Sequence, residues 1–182
     1  MSGRTHHYAA TIEWLGNRGT GTSGYREYDR THVVRAGDKP PIAASSDPVF
    51  RGEADRWNPE ELLVAALSQC HLLQYLHLAA VNGVVVVAYT DEASGTMAEE
   101  GEGGRFAEVV LRPTVTVADP SMAATAQALH EEARALLHRV VGQLPGSMRA
   151  DRIRRSGDIT TQPAPVMKAR APNSIVTAGP KA

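Results

Sequence analysis

Asn58-Pro-Glu-Glu-Leu-Leu-Val-Ala-Ala-Leu-Ser-Gln-Cys-His71 is the stretch from which the rest of the chain can be read. Asn58 suits a helix N-cap, because its side-chain oxygen can accept an orphan backbone N–H. Pro59 fits the first helical position, and Glu61 falls three residues after the cap, where a carboxylate can return the bond. Gly83 supplies a stop, so the pattern predicts a helix from Pro59 to about Asn82. Leu63, Ala66, Leu67, Cys70, Leu73 and Leu78 recur at helical spacing, which predicts a buried face carrying Cys70. A cysteine in that position is by default a small hydrophobe. It lies about three turns from the helix start, beyond the reach of the helix dipole, so a thiolate there needs a nearby cation. Arg18, Arg51 and Arg56, all on upstream turns or loops, are the candidates.

Working outward, Tyr8–Trp14 mixes β-branched and aromatic residues and runs into a glycine-rich turn at 16–22, which reads as a first strand. Tyr25–Val34 reads as its return, and Gly37–Asp55, rich in Pro and Ser, as an ordered loop. After the helix, the Val-rich Val84–Met97 reads as a well-covered strand. Phe106–Val117 alternates as its partner, the two joined by an acidic glycine turn into a long hairpin, with Pro113 marking an edge or bulge. Met122, Ala126, Leu129, Ala133 and Leu136 space a second helix over Ser121–Leu137. Strands, helix, hairpin and helix in that order make an α+β fold. One domain over 1–141 is expected, followed at 142–182 by a basic tail rich in Pro, Gly and Arg that reads as disordered or loosely docked.

Composition narrows the functional classes. A chain of 182 residues with 42% hydrophobic content supports one core, and a net charge of −1 gives no reason to expect nucleic acid. A single cysteine cannot form an internal disulfide, and Met1–His7 lacks an apolar signal core, so a cytoplasmic protein is expected. The longest apolar run, Leu62–Val87, is interrupted by Gln69, His71, Gln74, His77 and Asn82, which argues against a membrane span. Neither His71, His77, His130 nor His138 pairs with another at ligand spacing on one face, so no metal or other cofactor is expected. His71 itself is expected at the edge of the buried face.

The Asn58–His71 segment resembles the helix motif of the OsmC/Ohr family: Asn-Pro-Glu-(Glu/Gln)-Leu, a stretch of small residues, and a cysteine ten residues after the first Glu. The resemblance extends through Trp14-Leu-Gly16, Gly19-Thr-Gly-Thr22, the Val84–Val117 hairpin and Leu129-His-Glu-Glu-Ala133, covering roughly residues 6–136. It implies an OsmC-like fold, an antiparallel sheet with a long hairpin packed on two main helices in an intertwined homodimer. It also implies a peroxidase in which Cys70 attacks an organic hydroperoxide, an arginine lowers the thiol pKa, and the carboxylate of Glu60 orients that arginine. Arg51 is the best match for the arginine, with Arg56 and Arg18 as rivals. Glu60 and Cys70 lie about 15 Å apart along a straight helix, so either the first turn unwinds or Glu60 acts across a dimer.

Family members carry a second, resolving cysteine on the second helix, where this chain has Leu137. Codons that permit Leu137–Gly146, read in another frame from within Leu136, allow Cys-Phe-Ile-Ala-Ser-Ser-Val-Asn-Phe-Pro, close to the family segment. The sequence beyond about Ala135 therefore reads as frame-shifted. As written, the oxidised Cys70 must be reduced by an external thiol or dithiol. Two other readings stand beside the peroxidase: a one-shot thiol sensor or small-ligand binding protein, and an acyl-transfer enzyme pairing Cys70 with His71 or His130.

Overall fold

A computed structural model describes residues 4–101, 103–141 and 152–155. Strands β1 (Thr11–Trp14), β2 (His32–Arg35) and β3 (Ile42–Ala44) form an antiparallel sheet with β2 in the centre. The second strand is shorter than expected because Tyr25–Tyr28 wraps Arg30 instead: its guanidinium lies 4.3 and 4.2 Å from the Tyr25 and Tyr28 ring centres and donates to both backbone carbonyls. The expected loop contains β3 and a 3-10 turn at Pro48–Phe50, elements too short to leave a periodic signal. Helix α1 (Pro59–Val81) begins and ends where the sequence places it, with Asn58 and Glu61 exchanging cap hydrogen bonds and Gly83 at φ 71° beyond its end.

The long hairpin is present but broken into two storeys. β4 (Val86–Asp91) pairs with β7 (Pro113–Val117), and β5 (Ser94–Glu100) pairs with β6 (Gly103–Val110). Pro113 is not on an edge: it opens β7, which lies between β4 and β8 (Arg152–Arg155), and the first residue of a strand is where a missing N–H is tolerated. Val84 is buried, but Val85 and Val87 are more than half exposed, so β4 is covered on one face only, unlike the well-covered strand expected. Helix α2 (Ala123–Val141) follows a 3-10 turn at Pro120–Met122 and buries Ala126, Leu129 and Ala133, with Met122 and Leu136 packed alongside, the face read from its spacing. In the tail, Arg152–Arg155 pairs parallel to β7; the rest of 142–182, and the frame-shift reading of it, fall outside the described residues.

Two apolar clusters hold α1 in place. Its C-terminal half packs Tyr75, Leu78 and Ala79 against α2 and against Val115 and Val117 of β7, while Leu67 packs on Val109 and Leu111. The buried stripe is thus Leu67, His71, Tyr75, Leu78 and Ala79, rotated from the one expected: Leu73 is 67% exposed, Ala66 is exposed and Cys70 is half-buried at the border. The cause is that α1 is apolar nearly all round, so hydrophobicity alone does not choose a face. By length and composition α1 is in fact long and apolar enough to cross a bilayer, despite its scattered polar residues; here one stripe of it serves as a core helix.

Candidate functional site

Glu60 stands in the first turn of α1, fixed there by the cap: Asn58 Oδ1 accepts from Glu61 N at 2.8 Å and Glu61 Oε2 accepts from Asn58 N at 3.3 Å. It lines a cleft of about 660 Å³ between α1 and the β5–β6 hairpin, walled by Phe50, Trp57, Val64, Met97 and Phe106. At the cleft floor Ser68 Oγ donates to Asp91 Oδ2 at 2.6 Å, and Arg112 N donates to the other Asp91 oxygen at 2.6 Å. Glu60 Oε2 is buried and, among the described residues, has no hydrogen-bond partner. A carboxylate oxygen shielded from water in this way calls for a donor.

The first turn of α1 is wound, so Glu60 and Cys70 remain about 15 Å apart along the axis and a single chain does not bring them together. Cys70 is outside the cleft lining, and no hydrogen bond among the described residues joins it to Arg51, Arg18 or Arg56. Arg51 closes the 3-10 turn beside Phe50 in a left-handed conformation, φ 68°, with its side chain exposed. Arg18, on the β1–β2 turn, grips Asp29 with Nε at 3.0 Å and with Nη2. The hydrogen bond from Arg18 holds the Asp29 carboxyl below its usual range, with further contributions from the charges of Arg30 and Arg51. Arg56 pairs with Glu53.

Sequence reasoning missed one side-chain pairing. His71 is not at the edge of the buried face but 2% exposed, and it meets His130 of α2, also 2% exposed, with Nε2 and Nδ1 3.1 Å apart. The rings stack at an interplanar angle of 9°, Tyr75 stacks on His130 at 4.1 Å, and the Tyr75 hydroxyl donates to Ala126 O at 3.1 Å. Burial, and then the neighbouring His71, push the His130 pKa down to about 4; burial also lowers His71, against the pull of Asp91. The available signal was that His130 shares a face with Ala126, Leu129 and Ala133. No hydrogen bond links Cys70 to either ring, and no group of three or more metal-ligating side chains occurs among the described residues.

The description "OsmC-like protein" belongs to the family model that matches residues 52–138, a span holding α1, both hairpin storeys and most of α2. Over that span the chain resembles the OsmC-like family. An OsmC-like protein of unknown function from Vibrio cholerae superposes with a TM-score of 0.68 at 25% identity, over 83% of this chain and 99% of that one. An organic hydroperoxide resistance protein from Elizabethkingia anophelis matches with a TM-score of 0.58 at 17% identity, over 84% and 98%. OhrB of Bacillus subtilis matches with a TM-score of 0.55 at 15% identity, over 80% and 98%; at these identities the likeness is one of fold. No curated protein matches the sequence. The α+β, OsmC-like fold expected from the sequence is therefore the one adopted.

Proposed function

We propose that this OsmC-like protein is a thiol peroxidase that reduces organic hydroperoxides through Cys70, acting as a homodimer in the cytoplasm. The observation that carries the reading is the half-buried Cys70 beside an uncovered stripe of α1 made of Ala66, Gln69, Leu73, Leu76 and Ala80. A mostly apolar stripe of this kind is the expected footprint of a second copy. Two chains placed about a two-fold axis would let Glu60 of one serve Cys70 of the other, the arrangement that the 15 Å separation of about ten residues of helix requires. The names of the organic hydroperoxide resistance neighbours support the substrate class, and the aromatic walls of the Glu60 cleft suit an apolar alkyl group.

In the proposed reaction the Cys70 thiolate attacks the outer peroxide oxygen and the O–O bond breaks. The alkoxide leaves as alcohol after taking a proton, and Cys70 becomes the sulfenic acid. Arg51 is the proposed partner of the thiolate, oriented by Glu60, with Arg18 and Arg56 as the alternatives to be tested beside it. Two equivalents of an external thiol, or one dithiol, then return the thiol and release water.

Cumene hydroperoxide consumption on the full chain, with dithiol supplied, tests the proposal. Turnover lost in Cys70→Ser, and reduced about tenfold or more in Glu60→Gln and in one of the three arginine variants, is the expected result. Consumption of a single equivalent without turnover would instead favour a thiol sensor, a reading that the single cysteine specifically supports. Activity retained in Cys70→Ser would end both.

A further inference from the structure

Cys70 and His71 leave α1 about 100° apart, so the thiol faces the open side of the helix while the imidazole enters the core. His71 is therefore the point at which the turn bearing Cys70 is tied to the second helix. We propose that the buried His71–His130 pair is a proton-operated latch that fixes the Cys70 turn of α1 against α2, and that acid opens it.

The geometry carries the idea. With Nε2 of His71 and Nδ1 of His130 3.1 Å apart, two neutral rings make one hydrogen bond, one ring donating and the other accepting. The outward nitrogens, Nδ1 of His71 and Nε2 of His130, are buried and face no partner among the described residues. A proton added there places an N–H with no acceptor, and a positive charge, inside an apolar layer.

The surroundings do little to hold such a charge. Tyr75 of α1 lies against His130 by its ring face, with its hydroxyl committed to Ala126 O. From β7 the layer receives Val115 and Val117. Asp91 at the end of β4 favours a charged His71, and the exposed Glu131 of α2 favours a charged His130, but burial outweighs both. Tyr89 of β4 stays protonated throughout the acid range.

The sign follows from linkage. Both rings titrate below 6.5 when packed, His130 at about 4, so protons go first to the opened form. Above pH 6.5 the latch is closed; as pH falls from 6.5 towards 4 the opened form gains up to about tenfold per unit for each proton taken up. The latch does not depend on what Cys70 attacks, so it stands or falls apart from the peroxidase reading.

The test is labelling of Cys70 in the full chain with dithiodipyridine, a disulfide that stays reactive towards thiols in acid, from neutral pH down to pH 4. The rate corrected for thiolate fraction should rise about tenfold or more below pH 6.5 in the native chain. In His130→Gln and His71→Gln, which keep a polar partner but take no proton there, the rise should move to lower pH or disappear. A flat corrected rate in the native chain, or the same rise at the same pH in both variants, overturns the proposal. Should either variant fail to fold by circular dichroism, NMR titration of the native imidazole protons decides. Depressed titration of both rings, coincident with faster amide exchange in α1 and α2, supports the latch. Rings titrating near 6.5 with the helices still protected refute it.

Discussion

Asn58 fixes the start of α1, and with it the position of Glu60, through a hydrogen bond from Glu61 N to its own side chain. Asn58→Ala removes the acceptor of that N–H, and should lower stability by about 1 kcal/mol, read as a drop in the urea midpoint with unchanged slope. This part of the site was legible because it is local: Asn58, Pro59 and Glu61 act on one another within a single turn, and their residue types suffice. The His71–His130 contact was not legible, since it joins residues 59 positions apart and depends on which of several apolar stripes of α1 turns inward. Cys70 lies between these cases. Its place on α1 could be read, but its half-exposure follows from the rotation of the helix by about one residue's width, which only packing decides.

At the scale of elements, α1 and the outer hairpin storey meet where Gly95 of β5 faces Val64 of α1 and Phe106 of β6. A Cβ at Gly95 would come within 2.7 Å of the Phe106 ring and 2.8 Å of Val64 Cγ2. Gly95→Ala should therefore cost about 1–3 kcal/mol through overpacking, measured by thermal or chemical denaturation, and should also slow peroxide consumption by disturbing two walls of the cleft. The hairpin itself was foreseeable from alternation on either side of an acidic turn. Its break into β4–β7 and β5–β6 was not, because the change of direction at Glu92–Ala93 and Leu111–Arg112 is made by long-range packing on α1, with Leu111 in one apolar cluster and Val115 in the other.

For the whole molecule, the open stripe of α1 sets the expectation of a dimer. Leu73→Asp combined with Leu76→Asp should yield a monomer by analytical ultracentrifugation while leaving helical circular dichroism intact, because both side chains already face solvent in the single chain. A mixture that stays dimeric would place the interface elsewhere. The α+β order of elements could be read from periodicity alone, whereas the pairing of Arg152–Arg155 with β7 could not, since four residues with one apolar side chain carry no strand signal. β7 is among the most apolar strands of the chain, with Val115 and Val117 fully buried, and β8 occupies the side of it that β4 leaves open. The backbone of β8 therefore closes an edge of β7 that would otherwise be open to pairing with other chains. A chain truncated after Val141 should accordingly aggregate with thioflavin-positive, cross-β character, while one truncated after Ser156 should remain dispersed.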